Sequence, residues 1–167
     1  DNDGDGFGDG GLLACPNTAG LSSFDGDCDD AQAQINPAAT ETCDGIDNDC
    51  DGLFDDADPS LDQNATTTWF NDSDQDGFGD LADAVNACTP PSDYIADNTD
   101  CNDDNSAVNP AAQEVCDAQD NNCNGAVDEN ASDATSWFLD ADGDGFGDLS
   151  AETIACQPPS AHVDNAL

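Results

Sequence analysis

The chain has 167 residues, of which 39 are Asp or Glu and none is Lys or Arg, so its formal net charge at pH 7 is −39. A surface this acidic repels nucleic acids and anionic membranes, which makes both poor partners. Leu, Ile, Val and Phe together make up less than a fifth of the chain. That composition is typical of disordered proteins, unless bound cations or cross-links hold the chain in a folded state.

An acidic loop opens the chain at residues 1–9 and recurs at residues 72–80 and 140–148; we call these the A loops. Each has Asp at positions 1, 3, 5 and 9 and Gly at position 6, the spacing of the first part of an EF-hand calcium loop. Alternate side chains of such a turn point at one centre, and the carbonyl of position 7 adds a ligand. The predicted calcium ligands are Asp1, Asp3, Asp5, Phe7, Asp9, Asp72, Asp74, Asp76, Phe78, Asp80, Asp140, Asp142, Asp144, Phe146 and Asp148.

The spacing of the A loops indicates a tandem repeat of about 70 residues. We place the first repeat at 1–68, the second at 69–136 and a partial third at 137–167. A short apolar segment that ends in Cys follows each A loop, and we predict a strand there, at residues 11–15, 84–88 and 153–156. Residues 36–43 and 109–116 each predict one or two helical turns, with Asn as the N-cap and Pro as the first helical residue.

The A-loop spacing reappears in two further loops that contain a Cys, the B loops, which begin at Asp47 and at Asp120. The second copy replaces two of the carboxylates by Asn, so it keeps its oxygens, has less charge and is expected to bind more weakly. We also include the Asp that lies three residues before each B loop. The predicted ligands are then Asp44, Asp47, Asp49, Asp51, Leu53, Asp55, Asp117, Asp120, Asn122, Asn124 and Asp128.

The A loops lack the bidentate Glu of position 12 in an EF-hand, since Leu12, Asp83 and Ala151 stand there. A residue from elsewhere in the chain must therefore supply the missing oxygen. Two further acidic clusters, at residues 25–30 and 98–103, surround a Cys and are candidates, together with two Glu residues. This adds Asp25, Asp27, Asp29, Asp30, Glu41, Asp100, Asp103 and Glu114 to the predicted ligands.

Nine cysteines in so core-poor a chain predict a disulfide framework and an oxidising compartment. Four Cys per repeat allow three pairings, and we favour those that close a short loop around an acidic cluster. The expected pairs are Cys15–Cys28, Cys43–Cys50, Cys88–Cys101 and Cys116–Cys123, with Cys156 left for a continuing repeat or an intermolecular bond. Zinc is disfavoured because CxxC pairs and the accompanying His residues are missing.

Two other features bear on function. Trp69–Phe70 and Trp137–Phe138 precede A loops, and we interpret each pair as a small hydrophobic staple between repeats, with carbohydrate stacking as the alternative. The N-glycosylation pattern occurs at Asn64, Asn71 and Asn130.

Residues 43–52, the preceding segment 35–41, and residues 137–148 resemble the MopE-like metal-binding repeats of large secreted and surface proteins of bacteria. This resemblance implies an extracellular, metal-dependent repeat array without implying one activity. The founding member is associated with copper through His and an oxidised Trp. Here there is one His, His162, and no Met, so the oxygen-only loops favour calcium. The loops are also similar to those of thrombospondin type 3 repeats and dockerins, although the long helices flanking dockerin loops are missing.

The predicted fold is a mostly irregular, loop-rich tandem repeat with short strands and one- to two-turn helices, organised by several calcium ions per repeat and by disulfides. The leading functional hypothesis is an extracellular structural array, such as a stalk, adhesin segment or filament, that associates with itself head to tail. The alternative is a calcium-dependent module that binds carbohydrate or protein. Catalysis is not expected, because nearly every carboxylate belongs to a loop. There is no membrane-spanning run or signal peptide, so we expect the mature or excised part of a secreted or cell-surface protein.

Overall fold

The computed structural model describes residues 1–10 and 24–166. These residues form short strands joined by long irregular loops, as the sequence predicts, and their one recorded helix is a three-residue 3-10 turn at Asp55–Ala57. None of the described helical segments is long and apolar enough to cross a membrane. The strands are β1 Phe7–Gly8, β2 Phe24–Asp25, β3 Thr67–Asn71, β4 Asp80–Ala87, β5 Tyr94–Ile95, β6 Thr135–Leu139, β7 Asp148–Ala155 and β8 His162–Val163.

The same small sheet occurs twice, with strand orders β4-β3-β5 and β7-β6-β8, while β1 and β2 form a parallel pair. β4 and β7 contain most of the segments predicted as strands, but each begins earlier, at the ninth residue of its A loop. The predicted strand at 11–15 lies outside the described residues. The Trp residues lie on the central strands, where the indole N–H of Trp69 donates to Ala87 O at 3.1 Å and that of Trp137 to Ala155 O at 2.9 Å. Each A loop from the second repeat onward therefore joins two strands of one sheet.

Two compact units divide the described chain: Asp1–Trp69 with Val85–Ser92, and Phe70–Ala84 with Asp93–Leu167. Within the described residues, the buried apolar side chains are Ile35, Leu61, Ala87, Val108 and Ala131. Burying one large aliphatic side chain contributes about 1.5–3 kcal/mol, whereas ordering each residue costs about 1–2 kcal/mol of backbone entropy. Apolar burial is thus far too small to hold this chain folded, and other interactions must supply most of the stability.

The prediction of one or two helical turns at 36–43 and 109–116 is wrong, because each segment makes a single hydrogen-bonded turn that is not part of a helix. Asn36 Oδ1 accepts a hydrogen bond from Ala38 N at 2.9 Å, which is the predicted cap, and Ala39 N donates to Asn36 O. The turn does not continue as a helix. Asn36 N instead donates to Asn48 O of the B loop at 2.9 Å, which ties the start of the turn to that loop. Asn109 and Asn121 make the same bond in the second repeat.

This turn also explains why the predicted disulfide pairings are wrong. The observed pairs are Cys28–Cys50, Cys43–Cys88, Cys101–Cys123 and Cys116–Cys156. Each bond joins segments distant in sequence, with separations of 22, 45, 22 and 40 residues. The turn that begins at Asn36 lays the first B loop against the acidic cluster at residues 25–30, so Cys50 meets Cys28 rather than Cys43. Cys156 is paired rather than left over, and Cys15 lies outside the described residues.

We expect the loss of the Cys43–Cys88 bond to destabilise the protein more than the loss of Cys28–Cys50. The chain-entropy model gives about 4 kcal/mol for closing the longer loop and about 3 kcal/mol for the shorter one. Urea unfolding of variants in which both cysteines of one bond are replaced by Ser, in saturating calcium, measures both costs.

The pairing itself can be tested by digestion with an Asp-specific protease under non-reducing conditions, which should recover the four disulfide-linked peptides. Recovery of a peptide linking Cys43 to Cys50 would contradict the observed pairing.

Candidate metal centres

The second A loop has the backbone geometry that its spacing predicts. Gly77 at position 6 has a φ of 96°, in the left-handed region that favours Gly. Asp72 Oδ2 accepts a hydrogen bond from Gly77 N at 3.2 Å, and Asp76 Oδ1 accepts one from Phe78 N at 2.9 Å. Asp140 and Asp144 accept the matching bonds in the third A loop. Both carboxylate oxygens of Asp72 and of Asp140 accept backbone N–H groups, whereas Asp76 Oδ2 is buried without a hydrogen-bond partner.

A carboxylate from later in the sequence reaches each of the first two A loops. Asp27 N donates to Gly8 O, and Asp100 N donates to Gly79 O, both at 3.1 Å. These parallel contacts place the two Asp side chains over the loops, where they are 6% and 8% exposed. Of the Asp residues predicted from the Cys-flanked clusters, Asp27 and Asp100 thus lie beside the A loops, and metal ligation by them stays a prediction.

Buried carboxylate oxygens converge in these two loops without hydrogen-bond partners. In the first A loop one carboxylate oxygen each from Asp1, Asp3 and Asp5 lies within 4.8 Å of the others, and the same holds for Asp72, Asp74 and Asp76 in the second. The buried oxygens without a partner are Asp1 Oδ1, Asp3 Oδ2, Asp5 Oδ2 and Asp27 Oδ2 in the first loop, and Asp74 Oδ2, Asp76 Oδ2 and Asp100 Oδ2 in the second.

Electrostatics at these loops favours a bound cation. Burial, and then the negative charge of neighbouring Asp residues, raises the pKa of the Asp27, Asp74 and Asp100 carboxyls. The chain has no Lys or Arg to neutralise them. The one recorded ion pair of the described residues joins Asp30 to the Asp1 amino group at 2.8 Å. A set of carboxylate oxygens without nitrogen or sulfur donors fits a hard divalent cation.

The B loop of the first repeat repeats the A-loop hydrogen bonds and adds a buried Glu. Asp47 Oδ2 accepts from Gly52 N at 2.9 Å. Glu41 is fully buried; its Oε2 accepts from Asn48 N at 2.8 Å and its Oε1 from Asp55 N at 3.1 Å. Glu41 thus connects both ends of the B loop and remains near its metal-ligand candidates.

The placement of the two Glu residues differs from what we expected. They were candidates to complete the A loops, but Glu41 lies in the first B loop and Glu114 in the second. Glu114 accepts hydrogen bonds from Asn122 N at 2.8 Å and Asp128 N at 2.9 Å. The single turn after each Asn-Pro segment brings the Glu to the B loop that follows, so it lies away from the preceding A loop.

Other predicted ligands cap the turns in which they lie. Asp44 Oδ1 accepts from Ile46 N, and Asp55 Oδ1 accepts from Gly45 N. Asp30 and Asp103 accept from the second residue of their A loops, at 3.2 and 3.0 Å. Similar backbone caps are made by Asp29, Asp80, Asp117, Asp128 and Asp148. Asp9 and Asp25 are exposed, and so are Asp142 and Asp144 of the third A loop. Ligation by the carbonyls of Phe7, Leu53, Phe78 and Phe146 stays a prediction.

The sequence reasoning missed Asp58 and Glu129, whose carboxylates lie at the B loops. Asp58 is buried, with one oxygen each of Asp58, Asp49 and Glu41 lying within 4.8 Å of one another. Glu129 accepts hydrogen bonds from the side-chain amides of Asn122 and Asn124. Counting the B loop to position 12 would have found Asp58, whereas no spacing rule identifies Glu129. The proximity of Asp100, Cys101 and Cys123 is no thiolate site, because both cysteines are in a disulfide.

The predicted glycosylation sites differ in accessibility. Asn64 and Asn130 are exposed in the linkers that precede β3 and β6. Asn71 is half-buried on β3, and its side-chain amide donates to Ser73 Oγ and Asp83 Oδ2, each at 3.1 Å. Asn64 and Asn130 are therefore the more accessible acceptors.

We expect calcium binding to release protons and to weaken as the pH falls into the range where the buried Asp residues become protonated. The pKa values of Asp27, Asp74 and Asp100 are raised above 3.8, the ordinary pKa of an Asp carboxyl. Just above pH 3.8 the metal-free folded chain therefore binds more protons than the unfolded chain. These groups thus stabilise the metal-free fold at low pH and lose that effect as pH rises through their folded pKa. Because calcium needs the ionised form, protons compete with it. Calorimetry in buffers of different ionisation enthalpy, repeated at decreasing pH, measures the release, and the absence of any release over the whole acidic range would contradict this expectation.

Two kinds of carboxylate loop, stapled by disulfides and repeated along the chain, define a metal-binding-repeat protein. Residues 27–56 and 100–129 match the family model Cu-binding_MopE, described as "Putative metal-binding motif". These two matches confirm the resemblance to MopE-like repeats seen in the sequence. Comparison with curated proteins gave no match, and comparison with solved structures gave none.

Proposed function

We propose that this chain is a calcium-stabilised, disulfide-stapled segment of an extracellular structural array that serves as a stalk, adhesin segment or filament. The observation that carries the proposal is the set of buried, unpartnered carboxylate oxygens that converge in the A loops of a chain without Lys or Arg. Calcium accepts six to eight such oxygens, and its charge offsets their repulsion. Four disulfides support an oxidising compartment, as outside the cell.

Other features support a structural role over a binding module or an enzyme. The tryptophans that could stack on carbohydrate are half-buried, and their indole N–H groups bind backbone carbonyls of their own sheets. His162 lies on β8 with its Nδ1 2.9 Å from Ser160 O and its Nε2 3.4 Å from Thr153 Oγ1. We therefore assign no catalytic role to this chain, and its proposed partners are further copies of itself, in head-to-tail contact.

Metal analysis of the purified chain tests the identity of the ion. After dialysis against equal concentrations of calcium, magnesium, copper and zinc, we expect several calcium ions per chain. Copper is included because the family name contains it. The chain has one His and no Met, so bound copper should remain at one ion per chain or fewer. A His162→Ala variant is the matched control and should retain all its calcium. Retention of copper without calcium would overturn the proposal.

A further inference from the structure

The first B loop is followed by a buried carboxylate that lies beyond the family match. Asp58 is residue 12 counted from Asp47, the position of the bidentate Glu in an EF-hand loop. Its side chain is 5% exposed. Asp58 Oδ1 accepts a hydrogen bond from Ser60 N at 2.6 Å, whereas Asp58 Oδ2 is buried without a partner. One oxygen of this carboxylate therefore caps a turn, and the other oxygen is free to bind an ion.

A second unpartnered oxygen lies at the same place. Asp49 Oδ1 is also buried without a hydrogen bond. Carboxylate oxygens of Asp49, Asp58 and Glu41 lie within 4.8 Å of one another, and a second set of the same compactness joins Asp49 to Asp47 and Asp51. Burying an unpaired carboxylate is costly unless a cation or donor offsets it. The charge and the free oxygens of this loop together fit a divalent cation.

The corresponding loop of the second repeat is closed in another way. Ala131 replaces Asp58, while Asn122 and Asn124 replace Asp49 and Asp51. The side-chain amides of both Asn residues donate to Glu129 Oε1, and the bond from Asn122 is 2.9 Å long. These bonds lower the pKa of the Glu129 carboxyl. Glu129 Oε2 is the one buried oxygen recorded without a partner in this loop, against two in the first B loop. The second loop thus has fewer carboxylates and fewer free oxygens for an ion, and direct hydrogen bonds join part of it.

We propose that Asp58 closes a divalent-cation site in the first B loop, and that Glu129 holds the second B loop shut without needing an ion. This inference rests on the proposed calcium function and adds that the two repeats are not equivalent. The first B loop binds calcium the more tightly and opens when calcium is removed. The second binds it weakly and is the more protected of the two loops in a chelator. Removal of calcium thus opens the B loop of the first repeat more than the B loop of the second.

The test compares Asp58→Asn with a matched control in the full chain. Asn keeps an oxygen for the Ser60 cap and removes the charge, so a purely capping role would leave calcium binding unchanged. Asp62→Asn is the control, because Asp62 makes the same kind of cap, from Asn64 N to its Oδ1 at 2.9 Å, and its carboxylate is in neither of the two oxygen sets described for this loop. In a calorimetric calcium titration, we expect D58N to weaken one site at least about tenfold and D62N to weaken none.

A gain-of-ligand variant and hydrogen exchange complete the test. Asn122→Asp combined with Ala131→Asp should strengthen one site at least about tenfold, which also decides the matter if D58N fails to fold. In EDTA, backbone amides of residues 47–58 should exchange faster than those of 120–131, and Glu129→Gln should abolish the difference. Unchanged titrations of D58N and of the N122D/A131D chain would overturn this inference alone. Wild-type protein that binds no calcium would overturn the proposed function as well.

Discussion

Exhaustive chelation of calcium should unfold the A loops and most of the fold around them. At an effective dielectric constant near 20, two carboxylates 4.8 Å apart repel by about 3 kcal/mol. Three such charges in one loop give roughly 10 kcal/mol before solvent screening reduces it. Net folding stabilities are only about 5–15 kcal/mol, so two empty A loops together can consume all of it. With so few buried apolar residues, little else opposes the repulsion.

Far-ultraviolet circular dichroism and size-exclusion chromatography before and after EDTA measure this effect. We expect loss of the β-sheet signal and a larger hydrodynamic radius at pH 7, both reversed by calcium. High salt is the control, because screening alone should restore only part of the structure. Intact disulfides should keep the chelated chain more compact than a chelated and reduced one. A chain that keeps its spectrum and radius in EDTA would contradict the view that cations hold it folded.

The loops could be predicted from the sequence because their information is local. Gly77 at position 6 and Asp72 at position 1 determine each other's geometry within a few residues. For the same reason, the strands following the A loops were predictable, although not their beginnings: β4 starts while its first residue still belongs to the loop. Repetition strengthened these predictions, since the same spacing recurred in each copy.

The disulfide pairing, and which of the candidate residues reaches each A loop, could not be predicted because both depend on where the later part of the chain folds back. Sequence spacing does not distinguish Cys43 from Cys50 as the partner of Cys28. The backbone hydrogen bond from Asn36 N to Asn48 O brings the segment that contains Cys50 to Cys28. Asp27 reaches its A loop through a parallel contact with Gly8, which hydrophobic periodicity does not show. Short polar segments have no apolar pattern to fix their register, so only the assembled loops define the pairing.

Replacing the buried Glu41 by Ala should be among the most destabilising single substitutions in the first repeat. Its two carboxylate oxygens accept the N–H groups of Asn48 and Asp55, at opposite ends of the B loop. A hydrogen bond to a charged group contributes about 1.5–3 kcal/mol, and Ala leaves both N–H groups without their acceptor. We therefore expect a loss of about 3–6 kcal/mol, measured by urea unfolding in saturating calcium.

Two controls separate this role from a general effect of charge. Glu41→Gln keeps one acceptor oxygen and should lose about half as much stability as Glu41→Ala. Glu152→Ala removes an exposed carboxylate whose recorded bond is to Ser136 Oγ, and it should cost less than about 1 kcal/mol. Glu114→Ala should repeat the Glu41 result, because Glu114 also accepts one N–H group near the start of its B loop and one at the end, those of Asn122 and Asp128. If Glu41→Ala were no more destabilising than Glu152→Ala, the B loop would not depend on its buried carboxylate, and its closure would have to come from the cation and the disulfide alone.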